Sequence, residues 1–118
     1  MCRVISIGHL EAKKRPLDAV KIVRKLRNKF ENIEFIWIGD GELRDRVKRV
    51  CQKNGLTFVN FVGRKSEREK WQLLKSSRVY ISTSGFEGFN LTIAEAFLAG
   101  LPVILMTCRC TKRSTKIQ

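Results

Sequence analysis

Along this chain, short apolar runs rich in β-branched residues alternate with stretches in which apolar positions recur every three or four residues. The runs at 3–7, 33–38, 57–62, 79–81 and 103–105 predict strands. Between the first two, 16–30 predicts a helix with Leu17, Val20, Val23, Leu26 and Phe30 on one face and Lys21, Arg24, Lys25 and Arg27 on much of the rest. A second helix over 41–53 buries Leu43, Val47, Val50 and Cys51, with Asp40 as its N-cap. A third, 67–76, carries Trp71 and Leu74, and a fourth, 91–99, is closed by Gly100 and Pro102. Such alternation predicts an α/β fold, a Rossmann-like three-layer domain around a parallel sheet. At 118 residues the chain makes one domain, 1–105, and the remaining 106–118 form a basic tail without apolar periodicity, expected to be poorly ordered.

If the strands lie in the doubly wound order 3-2-1-4-5, strands one and four are neighbours, and the crevice between their carboxyl ends is the expected ligand site. The loops that follow them, 8–15 and 82–90, bring Lys14 beside Glu87. Glu87 precedes a helix start flanked by glycine and small residues, and Glu95 lies inside that helix. A helix N-terminus with little bulk before it offers unpaired N–H groups to an anion, and a carboxylate one turn inside accepts hydrogen bonds from sugar hydroxyls. Diphosphate also calls for cations, which Lys14 and Arg15 supply alongside the N–H groups of Gly88, Phe89, Asn90 and Leu91. Phosphate together with hydroxyls points to a nucleotide sugar.

Four landmarks in order then carry a family resemblance: Gly8 with Leu10, Lys14, Arg15 and Pro16; Gly39-Asp40-Gly41; residues 59–63; and the pair Glu87 and Glu95 followed by Gly100, Pro102 and Val103. Over residues 4–104 the chain resembles the C-terminal, donor-binding domain of retaining GT-B glycosyltransferases of the group 1, or family 4, type. The resemblance implies half of a GT-B fold, truncated at its C-terminus, that binds a UDP-, GDP- or ADP-sugar without metal or other cofactor. It places Lys14 as the lysine that stabilises the leaving diphosphate, Glu87 near the transferred sugar, Glu95 at the ribose hydroxyls, and the loop of Gly63, Arg64 and Lys65 at the nucleobase. His9 stands where the family has an arginine, and Asn90 where it has a glycine. A neutral imidazole offers one donor in place of a charged fork, so the diphosphate site is altered at that position. The acceptor half is implied to come from a missing domain or a partner protein, leaving the isolated chain with little or no turnover.

Composition adds alternatives. Lys and Arg make up 24 residues against 11 Asp and Glu, a net charge of +13 that favours phosphate-rich partners of any kind. On charge alone Lys14 and Arg15 read as a solvated turn, Glu95 as an exposed helix carboxylate and Glu87 as a helix-dipole partner; the surrounding motif reverses those odds. Gly39, Asp40 and Gly41 are explained by a tight turn and a cap. Three functions compete: a glycosyltransferase donor domain or subunit, with its basic surface free to rest on an anionic membrane; a non-catalytic nucleotide-sugar binding module; and a nucleic-acid-binding protein. The last is weakest, because Phe30, Phe35, Trp37, Phe58 and Phe61 fall mostly on strand or core positions and make no stacking platform. No apolar run of membrane-spanning length and no leader pattern occur, which leads to a cytoplasmic expectation. The four cysteines, Cys2, Cys51, Cys108 and Cys110, lack zinc-site spacing and read as ordinary thiols. An incomplete sheet edge leaves room for a homodimer.

Overall fold

The computed structural model describes residues 2–11, 15–30, 32–82 and 91–105. Five strands, β1 (Cys2–Ile7), β2 (Ile33–Ile38), β3 (Val59–Gly63), β4 (Val79–Ser82) and β5 (Val103–Leu105), alternate with helices α1 (Pro16–Lys29), α2 (Arg44–Lys53), α3 (Glu67–Lys75) and α4 (Leu91–Leu98). The strands form one parallel sheet in the order β3-β2-β1-β4-β5. Right-handed crossovers from β1 then place α1 and α2 on one face and α3 and α4 on the other. The first face is sealed by Ala19, Val20, Val23, Val47 and Cys51 against Val4, Phe35 and Trp37. The second is sealed by Leu74, Ile93 and Ala96 against Ile5, Ile36 and Tyr80. Strands buried on both sides explain why β1 and β2 read as continuous apolar runs rather than alternating ones.

Three expectations are corrected. Asp40 does not cap α2: that helix begins at Arg44 with Leu43 before it and no side-chain cap. Residues 41–43 turn instead against the loop after β1, where Leu43 N–H donates to the Leu10 carbonyl (3.0 Å) and Leu10 N–H to the Asp40 carbonyl (2.9 Å). Backbone pairing between two loops has replaced the first helical turn. Phe30, assigned to the buried stripe of α1, is 57% exposed, because it follows the helix with extended backbone and leaves the 3.6-residue period. The strand expected over 57–62 starts two residues later and ends one later, at Val59–Gly63. Cys51 is buried, and burial raises its thiol pKa, in keeping with an inert core cysteine.

Candidate functional site

The sheet order puts the carboxyl ends of β1 and β4 side by side, and β1 continues into Gly8 and His9. Gly39 packs on that loop from β2. Its backbone has φ 139°, and a Cβ placed there would lie 2.0 Å from the Gly8 carbonyl oxygen. The same oxygen accepts a hydrogen bond from Trp37 Nε1 (2.9 Å), and Gly39 N–H donates to the Gly63 carbonyl (2.8 Å). At Gly41 a Cβ would fall 2.6 Å from the Leu10 carbonyl oxygen. The Gly-Asp-Gly motif is therefore the seam that joins three loops at the carboxyl edge, which is a structural role as its turn chemistry suggested.

Above this seam opens a cleft of about 770 Å³, walled by His9, Asp40, Arg64, Lys65, Lys70 and Thr92 among others. Gly8 and Gly39 also line it, as does Leu91, the first residue of α4. His9, Arg64 and Leu91 are thus brought together at one cleft, and Gly63 (φ 77°) turns the chain into it. Arg15 is not among the lining residues: it precedes α1 in left-handed conformation (φ 52°), with Nε 2.7 Å from Asp18 Oδ2. Lys14, Glu87, Gly88, Phe89 and Asn90 lie outside the described residues, as does the tail 106–118. Among the described residues no group of His, Cys, Asp and Glu is arranged to hold a metal ion.

Glu95 lies behind the cleft wall. Its Oε2 accepts from Lys70 Nζ (2.9 Å), and Lys70, which lines the cleft, also donates to Glu67 Oε2 (3.0 Å). The side chains of Lys70 and Glu95 are 13% and 12% exposed. Glu95 Oε1 is fully buried and has no hydrogen-bond partner among the described residues. A buried carboxylate oxygen without a donor is costly, and such a group is a natural place for an absent ligand to complete. Burial opposes the Lys70 ammonium, but the bonds to Glu95 and Glu67 outweigh it, so its pKa sits above the usual lysine range. The lysine thus stays charged through neutral pH and gives up its proton only in alkali.

Below the pair, the Tyr80 hydroxyl accepts from Ile7 N–H (3.3 Å) and lies 2.9 Å from Thr92 Oγ1, bracing the end of β1 against the first turn of α4. Burial raises the Tyr80 pKa and keeps the phenol neutral. Ser66 caps α3: its hydroxyl accepts from Glu69 N–H while the Glu69 carboxylate accepts from Ser66 N–H, fixing the helix that presents Lys70. Sequence reasoning missed Lys70, Thr92 and Tyr80. The first is one of 24 Lys and Arg residues, and nothing in local spacing separates a lysine facing a neighbouring helix from one facing water.

The pattern of the family described as Glycosyl transferases group 1 matches residues 3–114. The chain belongs to the group 1 glycosyl transferases. It is 29% identical over 110 residues to an uncharacterised glycosyltransferase of Methanocaldococcus jannaschii, covering 92% of this chain and 27% of that protein. The chain therefore spans about a quarter of the length of that relative. Among solved structures it superposes on the pneumococcal O-GlcNAc transferase GtfA in complex with UDP and GlcNAc at a TM-score of 0.80 and 24% identity, covering 88% of this chain and 20% of that one. A GtfA/B complex superposes equally well, at a TM-score of 0.80 and 23% identity over 89% of this chain and 20% of that chain. These likenesses establish the fold as a Rossmann-like portion of a GT-B glycosyltransferase.

Proposed function

We propose that this group 1 domain binds a nucleoside-diphosphate sugar and presents it for transfer to an acceptor held elsewhere. The observation that carries the reading is the buried, donorless Oε1 of Glu95 behind a cleft at the β1/β4 switch point. In this reading Glu95 accepts hydrogen bonds from the ribose hydroxyls, and Gly63 and Arg64 border the base. His9 and Lys14, with the N–H groups of Gly88, Phe89, Asn90 and Leu91, receive the diphosphate, and Lys14 stabilises it as it leaves. Glu87 stands by the transferred sugar. A solved relative in fold that holds UDP and GlcNAc supports the same ligand class. Titration of the chain with UDP, GDP and ADP by calorimetry, at low and moderate salt, tests it. Binding to one nucleotide that survives moderate salt is expected. Base-indifferent binding abolished by salt would mean charge alone is responsible.

The acceptor site is assigned to sequence outside this chain, either on a longer polypeptide or on a partner protein. The quarter-length span of the relative and the GtfA/B complex among the structural neighbours support this. A second copy of the chain is the alternative partner. Sugar transfer by the chain with no other protein present would contradict the assignment.

The charge is one-sided, and we propose that its basic face rests on an anionic bilayer at the cytoplasmic surface. Helices α1 and α2, which share one side of the sheet, carry ten Lys and Arg against only Asp18 and Asp45. On the other side α3 and α4 carry three of each sign. Lys21, Arg24, Lys25, Arg46 and Arg49 are exposed on this face, and each basic residue near anionic headgroups contributes about 1 kcal/mol. No described helix is long and apolar enough to cross a membrane. Sedimentation with phosphatidylserine-containing vesicles is expected, with none on pure phosphatidylcholine. A Lys21→Glu, Arg24→Glu, Arg46→Glu variant should lose it while keeping nucleotide binding. Equal sedimentation of variant and parent would refute the assignment of this face.

A further inference from the structure

We infer that Lys70 is a positioning residue for the nucleotide: it fixes one oxygen of Glu95 and thereby aims the other at the ligand. This rests on the reading of Glu95 as the ribose acceptor. A glutamate rotates about three side-chain bonds, and a free carboxylate so buried would have no reason to keep one oxygen unpartnered. Here Oε2 is committed to Lys70 Nζ at 2.9 Å, while Oε1 stays buried with no partner among the described residues. The lysine is in turn held from its own helix by Glu67 at 3.0 Å. Glu67 is 77% exposed on its side chain, so water screens it, and the tight member of the trio is the pair between Lys70 and Glu95, each with little exposure.

The charge balance has a second consequence. An isolated carboxylate behind a diphosphate site would repel the ligand's phosphates, and the Lys70 ammonium cancels that charge at contact distance while leaving the acceptor oxygen unblocked. A carboxylate thus remains compatible with an anionic nucleotide. Only the fold makes the arrangement, since Lys70 on α3 and Glu95 on α4 are 25 residues apart.

The test compares Lys70→Met, Glu95→Gln, the double variant and Lys70→Arg by calorimetry. The probes are whichever of UDP, GDP and ADP the parent chain binds, and its 2′,3′-dideoxy analogue. Lys70→Met should weaken binding of the normal nucleotide by about 10-fold or more, the scale of one charge-assisted hydrogen bond, and that of the dideoxy analogue by clearly less, through the carboxylate charge left uncompensated. Lys70→Arg should restore much of the loss. On the Glu95→Gln background the same Lys70→Met change should cost nothing further. Should Lys70→Met fail to fold because it strands a buried charge, the double variant removes that charge and its comparison with Glu95→Gln alone decides. Equal losses for both nucleotides, or an additive loss in the double variant, would overturn the inference and leave Lys70 as a direct phosphate contact or a purely structural residue. Failure of the parent chain to bind any nucleotide would instead remove the ribose reading itself and this inference with it.

Discussion

Glu95→Ala is expected to weaken nucleotide binding by about 10- to 100-fold, the equivalent of losing one or two hydrogen bonds to a charged group. The buried oxygen that awaits a donor disappears with the side chain. The fold should tolerate the change better than the site does. Lys70, which loses Glu95, keeps its 3.0 Å bond to Glu67 and a path to water through the cleft it lines. Calorimetric titration read beside thermal melting separates the two effects. Binding that stays within about two-fold of the parent, well under the scale of one such bond, would show that Glu95 does not meet the ligand.

The second large effect concerns stability. Gly39→Ala should cost about 4 kcal/mol, adding the strain of a side chain in this backbone region to an overpacked contact. The methyl group would press on the Gly8 carbonyl at 2.0 Å, and that carbonyl is pinned by Trp37 Nε1, so neither side yields cheaply. Out of a typical domain stability of about 5–15 kcal/mol this is a large fraction. Gly63→Ala is the internal comparison. Its φ of 77° is also unfavourable for alanine, yet nothing lies within 4 Å of the added Cβ. That change should cost about 1–2 kcal/mol, from conformation alone. Urea unfolding of both variants checks the argument, and equal destabilisation would show that close approach of the loops is not what Gly39 provides. The cleft should also suffer in Gly39→Ala, because the same pair of glycines lines it.

Much of this was legible along the chain. The alternation of short apolar runs with helical stripes is a local property, and Val20, Val23 and Val47 are buried as their spacing required. The doubly wound order, taken as a premise from the alternation, is the order of the sheet, and with the switch-point rule it located the cleft before any side chain was placed. Other features were not local. Asp40 looked like a cap because an aspartate before a helical stripe is usually one; two loops brought together by the sheet paired their backbones and took that turn away from the helix. Phe30 had the right spacing, but the helix ended one residue earlier.

By itself the sequence determined the alternating layers, a structural turn at Gly39-Asp40-Gly41 and the presence of a glutamate within α4, since each depends on near neighbours. Only the tertiary structure decided that Glu95 is buried, that Lys70 holds one of its oxygens and that the other is left open. The reason is physical: helical spacing says which side of its own helix a residue occupies, whereas an ion pair between α3 and α4 depends on how those helices lie against each other on the sheet.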